Sequence, residues 1–340
     1  MKKILFTMLL LLTVFSSVFA TSINSTPVAT VRLYKNKVIT QADLDNAMKA
    51  YQGTAATEAD VLQLLINDEV FLQGAEHDGV TVNDTQLSSL YAQQKSSYEE
   101  QTGVTLTTEQ FDKIVEENYG SVDAFKTQLK QSYIVNTYLM QQKGTQLQNG
   151  NYTPTDDEVR SYYRKNQTAF VMSETVKFSS IYMAKTEDSA KNAEKKATLE
   201  KVANDIKSGA ITFEAAVNKY TEDEESKALG GETGWLQSTN TEARQVFGDA
   251  FVDTVLGLPV GEVSSVLESN IGYHIVKNTV HYDARLLGLN DRIQPDQSTT
   301  VYQYIQSGLS YQKQQVAMSN ALNEIIASLT SQARINIIKK

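Results

Sequence analysis

The chain has 340 residues, 41% of them hydrophobic, with a net charge of −9, three histidines and no cysteine. That length allows two or three domains, each with its own core, and the ordinary apolar content excludes a disordered chain. The acidic balance argues against nucleic acid or anionic lipid as the main partner, and the missing cysteine excludes any disulfide or lipid-modified cysteine.

Lys2 and Lys3 precede an apolar run from Ile4 to Phe15 and a small-residue segment from Ser16 to Ala20. This pattern reads as a signal peptide over residues 1–20, cleaved after Val18-Phe19-Ala20. The run falls short of the roughly 20 apolar residues that span a bilayer, so no stable membrane insertion is expected after cleavage. Next, Ala29 to Tyr34, the polar turn Lys35-Asn36-Lys37 and Val38-Ile39 predict a hairpin. Thr40 with Asp43 offers a helix cap, and Val61, Leu62, Leu64, Leu65, Val70 and Phe71 recur with helical spacing up to a stop at Gly79. Further helices are expected from Asn83-Asp84, from Ser121 with Phe125, Leu129, Ile134 and Leu139, and from the Thr155/Glu158 capping box after Pro154. At the far end, Val301 to Leu329 predicts one long helix striped by Ile305, Leu309, Val316, Leu322, Ile325, Ile326 and Leu329, followed by a strand-like Ala333 to Ile338. A helix of that length needs an apolar partner, and the helical N-terminal half is the one expected.

Between these ends, four segments follow in order: Phe213-Glu214-Ala215-Ala216, Tyr220-Thr221-Glu222-Asp223, Gly230-Gly231-Glu232-Thr233-Gly234-Trp235 and Ile271-Gly272-Tyr273-His274-Ile275-Val276-Lys277. The succession resembles a parvulin, a prolyl cis/trans isomerase domain. With Leu64 to Glu69, Asp78-Gly79-Val80 and Thr153 to Val159 around it, the whole resembles the SurA-like periplasmic chaperone family and, more distantly, PrsA-like exported foldases. The fold class this implies is α+β: a mostly helical chaperone domain over 21–170, an inserted parvulin domain over 174–281, and a C-terminal segment, 282–340, whose helix packs on the first domain. The resemblance implies a periplasmic folding factor that binds unfolded or proline-containing clients, secreted or outer-membrane proteins, and isomerises X-Pro bonds. The alternative is a chaperone whose parvulin domain only binds peptide.

The resemblance also implies site residues. Asp223 stands where the family has an active-site Cys or Asp, and His274 is the second histidine of its paired-histidine core. Phe247 and Phe251 match the proline pocket, and Ser269 the hydroxyl residue before that histidine. In Val176 to Tyr182, Ser180 replaces the first histidine, which breaks the pair while leaving a hydroxyl able to hold one hydrogen bond. Phe247 and Phe251, at i and i+4, are expected on one helix face. The lysine- and glutamate-rich segment from Asp188 to Ala210 has no arginine cluster, so no phosphoserine selectivity is expected. Three separated histidines without cysteine argue against a metal site, and no cofactor is expected. His77 is read as a helix-end residue, His281 as a domain-edge residue and Trp235 as packing beside Gly230-Gly231. Tyr91, Tyr98, Tyr119, Tyr133, Tyr138, Tyr162 and Tyr163 serve either helix packing or a groove for extended chains.

Overall fold

The computed structural model describes residues 26–338. The signal peptide expected over residues 1–20 lies outside them. A hairpin of β1 (Pro27–Arg32) and β2 (Asn36–Thr40) opens the described chain, followed by α1 (Gln41–Met48), α2 (Glu58–His77), α3 (Asp84–Thr102), α4 (Thr108–Tyr119) and α5 (Val122–Gln148). Then come α6 (Asp156–Lys165), β3 (Val171–Met172), β4 (Thr175–Ala184), α7 (Ser189–Lys207), α8 (Phe213–Tyr220), α9 (Glu224–Ala228) and β5 (Glu232–Gln237). The remainder is α10 (Thr241–Phe247), α11 (Asp249–Leu256), β6 (Leu267–Glu268), β7 (Gly272–Tyr282), β8 (Arg285–Leu286), α12 (Val301–Gln332) and β9 (Arg334–Ile337). The class is α+β, as expected, and no helix among the described residues is long and apolar enough to cross a membrane.

The helix starts follow local chemistry. Capping boxes at Thr40/Asp43, Thr57/Asp60, Asn83/Gln86, Thr107/Gln110 and Thr155/Glu158 satisfy N–H groups that have no intrahelical partner. One of them opens α4, a helix the periodicity alone does not separate from its neighbours, because Gly103 ends α3 in the left-handed region at φ +69.

The chain divides into two compact units, the first ending at Thr153 and resuming at Ser310, the second running from Pro154 to Leu309. In the first, β9 pairs antiparallel with β1, giving the sheet order β2-β1-β9. Its core joins Val28, Val31, Ile66, Val70, Phe71 and Leu139 to Leu322, Ile325 and Leu329 of α12, so both chain ends build one core. Tyr91, Phe111, Val115, Phe125 and Leu129 form a satellite cluster. Most of the tyrosines are spent on such packing: Tyr91 and Tyr138 are buried, while Tyr162 is exposed. The apolar stripe of α12 is not continuous. Val301 and Ile305 pack with Val159, Phe170, Met172 and Leu287 in the second unit, Leu322 to Leu329 pack in the first, and Val316, part of neither cluster, is 54% exposed.

In the second unit, the antiparallel sheet β5-β4-β7-β6 separates two apolar layers. Ile181, Met183, Tyr273 and Ile275 face Leu199, Val202, Phe213 and Val217 of α7 and α8. Val176, Phe178 and Val276 face Phe251, Val252, Val255 and Leu256 of α11. Alternation along a strand sends successive side chains to opposite faces, so Ser180, Tyr182 and His274 share the second face.

Candidate active site

The register of β4 on β7 sets Tyr182 opposite His274 and Ser180 opposite Val276. Ser180 and His274 are therefore diagonal neighbours on one face, within reach of each other. His274 is buried, its Nδ1 3.2 Å from Ser180 Oγ and its Nε2 2.8 Å from Ser269 Oγ. The serine standing in for the first histidine keeps a contact with the second.

Hydrogen-bond capacity assigns the tautomer. Ser269 Oγ accepts from the N–H groups of Ile271 and Gly272 at 3.2 and 3.1 Å, which uses both lone pairs. Its single proton is best placed on Nε2 at 2.8 Å rather than on Gly272 O at 3.2 Å. The imidazole then carries its proton on Nδ1 and donates it to Ser180 Oγ. Burial, aided by the charge of Lys185, pushes the His274 pKa down from 6.5 to about 3. The ring is neutral at physiological pH.

Aromatic rings surround it. The centroids of Phe251, Tyr182 and Phe247 lie 4.6, 4.9 and 6.0 Å from that of His274, and Phe247 stacks on Phe251 at 5.2 Å. Phe251 is buried and Phe247 half-buried. The pair does not lie on one helix face as the spacing suggests: Phe247 ends α10, Phe251 lies in the first turn of α11, and Gly248 between them has φ +91. That left-handed residue breaks the helix, and Asn270 N–H donates to Phe247 O at 3.0 Å across the break. The two rings meet because the break turns the chain.

Asp223 takes a different position. Its carboxylate caps α9, accepting from Ser226 N at 3.3 Å, and it makes no hydrogen bond to His274, Ser180 or Ser269. Its charge reaches Tyr182, whose hydroxyl pKa is raised by burial and then by the charges of Glu222 and Asp223. The loop carrying it is fastened to the end of β4: Glu222 N donates to Tyr182 O at 2.9 Å, and Glu222 Oε2 accepts from Ala184 N at 2.9 Å and from Lys195 Nζ at 2.8 Å.

Two participants escape a reading of the sequence. Tyr182 could have been found by counting two residues along the strand from Ser180. Lys185, which donates to Ser269 O at 2.8 Å and pairs with Glu268 at 2.8 Å, depends on a loop path that no local pattern announces. Trp235 stacks on Tyr282 at 5.8 Å, His77 stacks on Tyr34 at 3.8 Å, and His281 meets Glu174 at 3.0 Å. Gly231, with φ +81, is held where a Cβ would lie 2.8 Å from Ser180 O. Among the described residues no cluster of ligating side chains could hold a metal ion.

The site is thus a buried neutral imidazole held between two serine hydroxyls beside an apolar cup. Residues 180–279 match the PPIC-type PPIASE domain of the rotamases. This part of the chain is a parvulin-type peptidyl-prolyl isomerase domain. It is 34% identical over 100 residues to Chaperone SurA of Salmonella choleraesuis (strain SC-B67), a stretch covering 29% of this chain and 21% of that one. The matched stretch thus spans about a fifth of the length of that curated relative. Among solved structures, one of the two SurA-like chaperones PEB4 and Cj1289 of Campylobacter jejuni is 17% identical, with a TM-score of 0.41 over 92% of this chain and 99% of that one. The peptidylprolyl isomerase PrsA of Bacillus anthracis is 19% identical, with a TM-score of 0.29 over 80% of this chain and 98% of that one.

Proposed function

We propose that this protein is an exported, periplasmic folding factor that binds unfolded secreted or outer-membrane polypeptides and catalyses cis/trans isomerisation of their X-Pro bonds. The observation that carries the reading is His274, buried and neutral between Ser180 and Ser269, with Phe247 and Phe251 packed against it. In this reading residues 1–20 direct export, residues 21–170 with 282–340 hold the client, and residues 174–281 carry the isomerase.

Rotation about an X-Pro bond faces a barrier of about 18–20 kcal/mol and requires no bond to be made or broken. The planar amide is the more polar form, because resonance places negative charge on its oxygen. An apolar cup of Phe247 and Phe251 that seats the proline ring strips water from that form and favours the twisted one, which is the differential binding that lowers a barrier. In this reading the Asp223 carboxylate, which also caps α9, disfavours the charge on the planar amide's oxygen, while Glu222 is neutralised by Lys195 and holds the loop. Ser180 and Ser269 fix the ring of His274 and keep the floor uncharged.

A second reading, a chaperone whose parvulin domain binds peptide without turning it over, is favoured by the use of the Asp223 carboxylate as a helix cap. Exchange NMR on a short Ala-Pro-Phe peptide separates the two. The isomerase reading expects a rate enhancement that His274→Ala removes; a folded protein with no enhancement leaves the binding reading.

A further inference from the structure

A single peptide unit joins the floor of the isomerase site to its wall. Ser269 and Asn270 lie in the turn between β6 and β7, which Ser269 N closes by donating to Gly272 O at 2.8 Å. The carbonyl of Ser269 accepts from Lys185 Nζ at 2.8 Å, and the N–H on the other side of the same peptide plane, that of Asn270, donates to Phe247 O at 3.0 Å. The hydroxyl of Ser269 meets His274 Nε2 at 2.8 Å. Lys185 therefore grips a unit that reaches both the buried imidazole and the aromatic cup.

That grip is charged and supported. Lys185 follows directly on β4, its ammonium also pairs with Glu268 at 2.8 Å, and Glu268 has Lys196 of α7 at 3.6 Å. A cationic donor makes the stronger kind of hydrogen bond, and a peptide polarised at its oxygen donates more strongly from its N–H. The bond to Ser269 O thus tightens the bond to Phe247 O. The carbonyl of Ile271, in contrast, is held without the ammonium, accepting from Lys185 N at 2.8 Å and from Tyr182 Oη at 3.1 Å. Loss of the ammonium leaves the turn attached to β4 and frees the orientation of the 269–270 peptide.

We propose that Lys185 is a positioning residue of the isomerase: its ammonium orients the Ser269–Asn270 peptide and through it sets both the hydroxyl that holds His274 and the backbone of Phe247. The effect on rate rests on the isomerase reading of the site; the effect on the geometry does not. With the ammonium gone, Ser269 no longer presents its proton to Nε2 in a fixed direction, and Phe247 loses the strengthened bond across the break at Gly248. Glu268 keeps Lys196, so no carboxylate is left without a cation.

The test compares Lys185→Met and Lys185→Arg in the full protein by kcat/KM for an Ala-Pro peptide, by the 15N spectrum of the His274 ring and by hydrogen exchange of the Asn270 amide. Methionine keeps the stem of a side chain that is 29% exposed and removes only the donor. It is expected to lower kcat/KM about fivefold, to turn the single Nδ1-protonated ring into a mixture of both tautomers, and to speed exchange at Asn270 about tenfold. Arginine, able to donate to Ser269 O and Glu268 together, is expected to restore all of these. The amides of Ser180 and Val276, bonded to Gly231 O and Ser264 Oγ, should exchange as in the wild type in both variants. Unchanged activity, an unchanged ring spectrum or unchanged Asn270 exchange in Lys185→Met would each overturn the proposal, as would an arginine variant as impaired as the methionine one. Faster exchange at Ser180 and Val276 as well would make Lys185 a fastener of the fold and likewise overturn it. A wild-type protein without rate enhancement counts against the isomerase reading alone, and the ring spectrum and Asn270 exchange then decide the role of Lys185.

Discussion

Both units bury polar side chains, yet they use them in opposite ways. In the first, Gln73 is 1% exposed, and its Oε1 accepts from the N–H groups of Leu33, Tyr34 and Lys35 at 3.2, 3.0 and 3.1 Å while its Nε2 donates to Glu69. Its oxygen is saturated by backbone and fixes the hairpin tip to α2. In the second, His274 is held only by serine hydroxyls and aromatic rings, next to a half-buried Phe247. A buried polar group saturated by backbone is a structural fastener. One held by side chains beside an apolar opening is part of a site, because its surroundings can respond to what binds.

The contrast is broken most forcefully at Gln73. Gln73→Leu strands three backbone N–H groups, and even with water reaching the exposed hairpin tip the loss should be about 3 kcal/mol, read from denaturant unfolding followed in the first unit. A loss below about 1 kcal/mol would remove the distinction between fastener and site. Ser269→Ala probes the other side. It takes the proton from Nε2 and the acceptor from two N–H groups, so kcat/KM for a prolyl peptide should fall roughly tenfold, while Ser180→Ala, which removes one 3.2 Å contact, should cost only a few-fold. Reversal of that order would mean that Ser180, not Ser269, sets the ring.

Much of this was legible in the residues. Capping chemistry placed α1, α3, α5 and α6, because these signals are local, while Ser180 and His274 were brought together by the resemblance rather than by any local pattern. The resemblance supplied Phe247, Phe251 and Ser269, and all three stand around His274. Elements that depend on distant partners were less readable: the break at Gly248, the splitting of the α12 stripe at Val316, and Lys185 on Ser269 O all arise from packing. Asp223 is the instructive case, since an acidic run looks the same whether its carboxylate caps a helix or faces a substrate.

Burial also sets a pH signature. The folded His274 titrates at about 3, below its ordinary 6.5. Between those values the unfolded chain binds a proton that the folded chain does not, so the stability of the second unit rises with pH through that window and levels off above it. The most direct measurement is therefore the 15N spectrum of the His274 ring from pH 8 to pH 4.5. The expected result is one protonated and one unprotonated nitrogen, the proton on Nδ1, unchanged across the range. An imidazolium appearing with a midpoint between pH 6 and 7, or a proton on Nε2 throughout, would contradict the neutral, doubly held ring on which the isomerase reading depends.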